Sequence, residues 1–256
     1  MTLAATFAAI SAAVLIGTIL QRLSGTGVGL VVAPVLSLLL GPGLGVLITN
    51  MTTVVSGFLI MLSVWAHISW RTFWLIIPAA IIGAWPGAWL VGALSAGWLS
   101  IILGVIVVAA LMITFSLRRL PEWTSRLPAV MAGLLGGFFN TTSGVAAPVM
   151  VIYSRVSRWD QRSFAATLQP IFMTMGAASV ISKSVLGSVG LDGGAGIPLA
   201  WVFASIVGVV LVGILIGTQL ATRVPLSAAR TLAMTLAGLG GVAAIIRGTT
   251  EVLWGV

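Results

Sequence analysis

Residues 25–34 read GTGVGLVVAP, and residues 140–148 read NTTSGVAAP. Each is a turn of small residues followed by an apolar run that closes on Ala-Pro. Each also interrupts a hydrophobic stretch, which decides the fold class. A break in the middle of an apolar helix exposes backbone N–H and C=O groups, and a bilayer tolerates those only where protein or a lined cavity receives them. Two such breaks, one in each half of the chain, point to a membrane protein built around a central site.

Composition supports the membrane reading. The chain has 256 residues, 59% of them hydrophobic and 6% charged, with a mean hydropathy of +1.21. A soluble domain carries about 25% charged residues, and 6% would not coat a water-soluble globule of this size. The formal charge of +8 does not indicate a nucleic-acid binder. The basic residues stand singly or in small groups between apolar spans, as topology-setting charges do. With no cysteine, disulfides and thiolate chemistry are excluded. The first 20 residues lack a basic leader and read as a membrane segment.

Gly/Pro and polar punctuation divides the chain into about ten apolar segments. Most approach the roughly 20 residues that span a bilayer. The second, 28–40, and the seventh, 145–153, are short, as spanning or re-entrant half-segments would be. Arg71, Arg118, Arg119, Arg126, Arg155, Arg158, Arg162, Arg223 and Arg230 fall in loops on one face, and Lys183 and Arg247 on the other. That bias assigns the arginine-rich face to the cytoplasm and both termini to the outside of an inner membrane. Lys183 lies 14 residues beyond Gln169, about 21 Å along a helix, which predicts a place at the outer surface.

The halves repeat. Besides the two turns, Asn50 precedes Gly57 with the spacing by which Gln169 precedes Gly176. Five segments per half is odd, so the second copy is inverted. The domains are a first repeat over 1–117, a cytoplasmic linker over 118–127 and an inverted repeat over 128–256. Inverted repeats with interrupted helices in matching positions point to a transporter with its site near the midplane. A helix that begins at such a turn directs free N–H groups and its positive dipole end at the site. Two of them facing each other make an anion site. Close helix packing is the plainer use of membrane glycines.

The candidate ligands follow. Gly25, Thr26, Gly27 and Gly29 form the first turn; Asn140, Thr141, Thr142, Ser143 and Gly144 form the second; Pro34 and Pro148 close the motifs. The hydroxyls there either donate to an anion or bond back to local carbonyls. Arg22 stands three residues before Gly25. An intramembrane arginine is functional by default, although this one can also reach the headgroups. The amides of Asn50 and Gln169 either donate to an oxyanion or bond between helices. Trp85, deep in the fourth segment, either lines the cavity or packs in the core. Glu122, Asp160, Asp192 and Glu251 all fall in loops or at the terminus, so neither a carboxylate proton relay nor a paired-carboxylate active site is expected. The chain reads as a transporter, not an enzyme, with no cofactor.

The two turns resemble the repeated motif of the TauE/SafE family of sulfite exporters and organosulfonate permeases, Gly-x-Gly-Gly-Gly-(x)4-Pro. Val28 replaces one glycine in the first copy, and the second keeps Gly144 with small polar residues around it. Arg71 before Gly83 and Gly87 fits the same pattern. The resemblance covers essentially the whole chain. It implies transport of a small sulfur oxyanion or sulfonate, such as sulfite or sulfoacetate. An anion channel for small oxyanions is the alternative, since the same donors suit a pore. A proton as coupling ion, with His67 as its carrier, stays open, as does a homodimer. Cysteines introduced as Ser125→Cys and Ser157→Cys should both react with an impermeant thiol reagent only from the cytoplasmic side. Labelling of either from outside reverses the orientation.

Overall fold

The computed structural model describes residues 3–25, 28–116, 122–123, 125–189 and 199–255. Among them the chain forms ten α-helices: α1 (Leu3–Ser24), α2 (Val28–Leu40), α3 (Pro42–Val64), α4 (Trp70–Ala93), α5 (Ala96–Ser116), α6 (Leu127–Ser143), α7 (Ala147–Val156), α8 (Gln161–Val185), α9 (Leu199–Leu220) and α10 (Leu226–Trp254). Seven of these, α1, α3, α4, α5, α8, α9 and α10, are long and apolar enough to cross a membrane. The helices start where sequence chemistry allows. Pro42 opens α3, where its missing N–H costs nothing. Asp160 caps α8 by accepting the Ser163 N–H at 2.9 Å.

The helix pair α3 and α8 forms the centre. In the membrane-length window of α3 78% of residues are buried, against 22% in that of α9, which separates hub from rim. The two central helices run antiparallel at very close range. A Cβ on Gly57 would lie 2.9 Å from the Gln169 carbonyl oxygen, and one on Gly176 2.9 Å from that of Asn50. Only glycine lets the two backbones approach so nearly. Around this pair, α4 packs on α6, α1 on α9, and α5 on α10. The outward faces carry exposed large apolar side chains, among them Trp74, Ile82, Trp89, Leu215 and Leu239. In water this would be an aggregation surface; on helices of membrane length it is the face lipid covers.

The α4–α6 seam depends on Gly133 and Gly137, which face the carbonyls of Ile76 and Ala80. A Cβ on Gly137 would run into the Ala80 oxygen, whereas Gly208 on α9 has open space beside it. Overpacking costs about 1–3 kcal/mol. Gly137→Val should therefore lower the unfolding midpoint in detergent by about 5 °C or more, and Gly208→Val by about 1 °C or less. Equal midpoints for the two variants would contradict this seam.

Candidate substrate site

The two breaks predicted from sequence lie in contact. α1 stops at Ser24; Gly25, at φ +78°, donates its N–H to the Gln21 carbonyl at 2.8 Å. α6 stops at Ser143; Gly144, at φ +75°, donates to the Asn140 carbonyl at 2.9 Å. Such a left-handed residue ends a helix at little cost only if it is glycine. Past these stops α2 begins at Val28 and α7 at Ala147. Gly29 then rests against the Gly144 carbonyl, where a side chain would collide, and Gly144 against the Ala33 side chain.

Buried amides brace the breaks from across the pair. Asn50 on α3 donates its amide to the Asn140 carbonyl at 3.2 Å and to Ser179 Oγ at 2.9 Å. Asn140 returns a hydrogen bond from its own amide to Asn50 Oδ1 at 2.8 Å. On the other side, Gln169 on α8 donates to the Gly25 carbonyl at 3.3 Å, and Gln21 donates to Gln169 Oε1 at 3.0 Å. Each half thus contributes an amide that holds the helix end of the other half.

Between the breaks lies a cavity of about 20 Å³, lined by Gln21, residues 28–30, Thr53, Asn140, residues 144–147 and Phe172. It has room for about one water and none for a sulfonate group with its four heavy atoms. Its wall nonetheless includes the first residues of α2 and α7, whose N–H groups lack intrahelical partners. Each helix start carries about half a positive charge. A second cavity, of about 190 Å³, lies beyond Leu30 and Ala147, which line both spaces. Arg155 at the end of α7, Arg230 on α10 and Gln161 stand in its wall, so it forms a basic mouth beside the centre.

Not every expected residue joins this cluster. Thr26 and Gly27 lie outside the described residues. Arg22 is half-buried and donates from Nε to Thr218 Oγ1 on α9 at 3.0 Å, with its stem against Gly217. Thr142 and Ser143 return their hydroxyls to the Phe138 and Phe139 carbonyls at 2.9 and 2.7 Å. Thr141 is buried against Gly87, and its hydroxyl has no partner among the described residues. Pro148 is the second residue of α7, and Pro34 packs on Gly240 of α10. The cavity-lining role considered for Trp85 gives way to a surface one. Its side chain is 42% exposed on α4, because the glycines at 83 and 87 turn the opposite face toward α6.

One cavity-lining residue, Gln21, escaped the sequence reading. Gln21 sits one turn before Gly25, and its amide within an apolar segment was the available signal. Lys183 corrects an expectation. It is not at the outer surface but 0% exposed, and its Nζ has no hydrogen-bond partner among the described residues. Counting residues along the helix could not see that the turn after α8 packs back on α3 and α4. There Ser188 donates its N–H to the Lys183 carbonyl at 3.0 Å and packs on Gly92 of α4, and Val189 packs on Gly43 of α3. Burying a lone ammonium costs several kcal/mol. Its place in the last turn of α8 returns only about 0.3–1 kcal/mol from the helix dipole. Helix capping does not explain its burial.

Comparison with known proteins gives two matches. The family model described as "Sulfite exporter TauE/SafE" matches residues 9–245. The "Probable inner membrane transporter protein TsaS" of Comamonas testosteroni is 27% identical over 193 residues, covering 73% of this chain and 75% of that protein. No solved structure matches the chain.

The bracing is measurable by a double-mutant cycle on Asn50→Ala and Asn140→Ala. Interhelical side-chain hydrogen bonds in membranes average about 0.6 kcal/mol and reach about 1.7. A coupling of about 1 kcal/mol or more is expected here, because the pair is fully enclosed. Additive effects would contradict the brace.

Proposed function

The chain belongs to the TauE/SafE family of sulfite exporters, and from that premise we propose that it is an inner-membrane permease carrying a small sulfur oxyanion or sulfonate by alternating access. One observation carries the reading: two helix starts, one from each half, converge on a shared cavity, held by amides contributed across the pair. Together they present about one positive charge, built from backbone alone. A sulfonate carries one negative charge and three acceptor oxygens, which suits a ring of N–H donors.

The pairing of helices supports inverted repeats over 1–117 and 128–256. If α1–α5 correspond to α6–α10, then α4 on α6 is the counterpart of α9 on α1. By the same exchange α3–α8 and α5–α10 map onto themselves. Both of these self-paired contacts run antiparallel, with Gly97 meeting Gly248 as Gly57 meets Gln169. A two-fold axis in the membrane plane requires this arrangement. With the arginine-rich loops inside, both termini are outside and the basic mouth of Arg155 and Arg230 opens to the cytoplasm.

The closed centre favours a carrier over the channel alternative. A space for about one water beside a roomier mouth fits a state in which the site is shut and the halves must part to admit substrate. Purified protein in liposomes should take up sulfite, sulfoacetate or an aromatic sulfonate with saturation and with stimulation by the same anion on the far side. Imposing a pH gradient tests whether a proton is coupled. Unsaturable passage of chloride together with every small anion would replace the carrier by a channel, and failure to move any sulfur anion would overturn the substrate.

A further inference from the structure

Lys183 is the only lysine in the chain, and neither the fold nor the helix breaks account for its burial with no partner among the described residues. It stands four residues after Ser179, whose hydroxyl receives the Asn50 amide at 2.9 Å. Residues four apart share a helix face, and the rise between them is about 6 Å. The Cα–Cβ bond of a helical residue tilts toward the helix N-terminus, which from Lys183 is toward Ser179 and the centre. Ser182 is buried beside it and turns its hydroxyl back to the Ser179 carbonyl at 3.2 Å. Asn50, Ser179 and Lys183 therefore follow one another along the α3–α8 pair, and the Lys183 amine at the end of this row has no partner among the described residues. Among the described residues no carboxylate pairs with the Lys183 amine.

We propose that Lys183 is a substrate-binding residue that supplies a whole positive charge beside the two helix starts and so makes the site select doubly charged sulfur anions. This rests on the transport reading above. The helix starts contribute about one positive charge between them, which balances a simple sulfonate. Adding the ammonium raises the total to about two. A compact dianion, such as sulfite itself or a sulfonate that also bears a carboxylate, matches that total, and the bound anion compensates the lysine in turn.

The test compares two anions with the same sulfonate group. Sulfoacetate carries two negative charges at neutral pH and methanesulfonate one. In proteoliposomes, the native chain should show a KM for sulfoacetate lower than that for methanesulfonate by about tenfold or more. Lys183→Met should raise the KM for sulfoacetate more than that for methanesulfonate, bringing the ratio to about twofold or less, and Lys183→Arg should keep the native ratio. A native ratio near one, or a ratio unchanged in Lys183→Met, overturns the role of Lys183 and leaves the carrier standing. Uptake of neither anion by the native chain overturns the carrier and this role with it. Should Lys183→Met fail to fold, acetylation of the single lysine in the native protein decides. Sulfoacetate is expected to slow it by about tenfold, read from the mass of the Lys183 peptide, and an equal rate with and without anion overturns the proposal.

Discussion

The hydrogen bonds from Asn50 to the Asn140 carbonyl and from Gln169 to the Gly25 carbonyl are the contacts on which the molecule turns. Lipid offers no partner to an exposed peptide group, and each one left bare costs several kcal/mol. Two helix ends buried in an apolar bundle therefore need donors supplied from elsewhere in the chain. Here each comes from the central helix of the opposite half. That helix pair lies close enough to reach because Gly57 and Gly176 remove the side chains between α3 and α8. Packing at the hub and exposure of backbone N–H groups at the site are thus one arrangement: neither break is stable unless the other half is seated against it.

The same arrangement sets the electrostatics. Among the described residues no acid lies within the interior of a long helix, so nothing there offsets the positive helix ends. Under the proposed transport, Arg155 and Arg230 at the mouth would raise local anion concentration and steer entry. Leu30 and Ala147 form the partition between mouth and centre. These two residues flank the breaks on α2 and α7, so under the proposed alternating access a small displacement of the short helices would change both access and the aim of the N–H groups. Half-helices held by a few buried hydrogen bonds suit such movement better than the long, glycine-seamed pairs at α4–α6 and α5–α10.

Much of this was legible in the sequence because it is written as local chemistry. GTGVG and NTTSG mark the two places where helices stop, and the apolar runs between polar punctuation predict helices close to those observed. The equal spacing of Asn50–Gly57 and Gln169–Gly176 predicted matched positions, and these two amides are the ones that brace the breaks. Illegible were the directions in which side chains face. Arg22 turns to Thr218, and Trp85 turns outward, because helix rotation is set by which glycines meet a neighbour. Lys183 was misplaced for a related reason: depth follows from counting residues, whereas burial depends on how neighbouring elements close around the end of α8.

The central claim is that the anion sits where the two helix starts meet. Selenite is a heavier analogue of sulfite, and its anomalous scattering locates it directly in crystals of the protein. The account predicts a single strong peak between residues 28–30 and 145–147, within about 3.5 Å of their backbone nitrogens. A peak confined to the mouth at Arg155 and Arg230, with none between the helix starts, would contradict it.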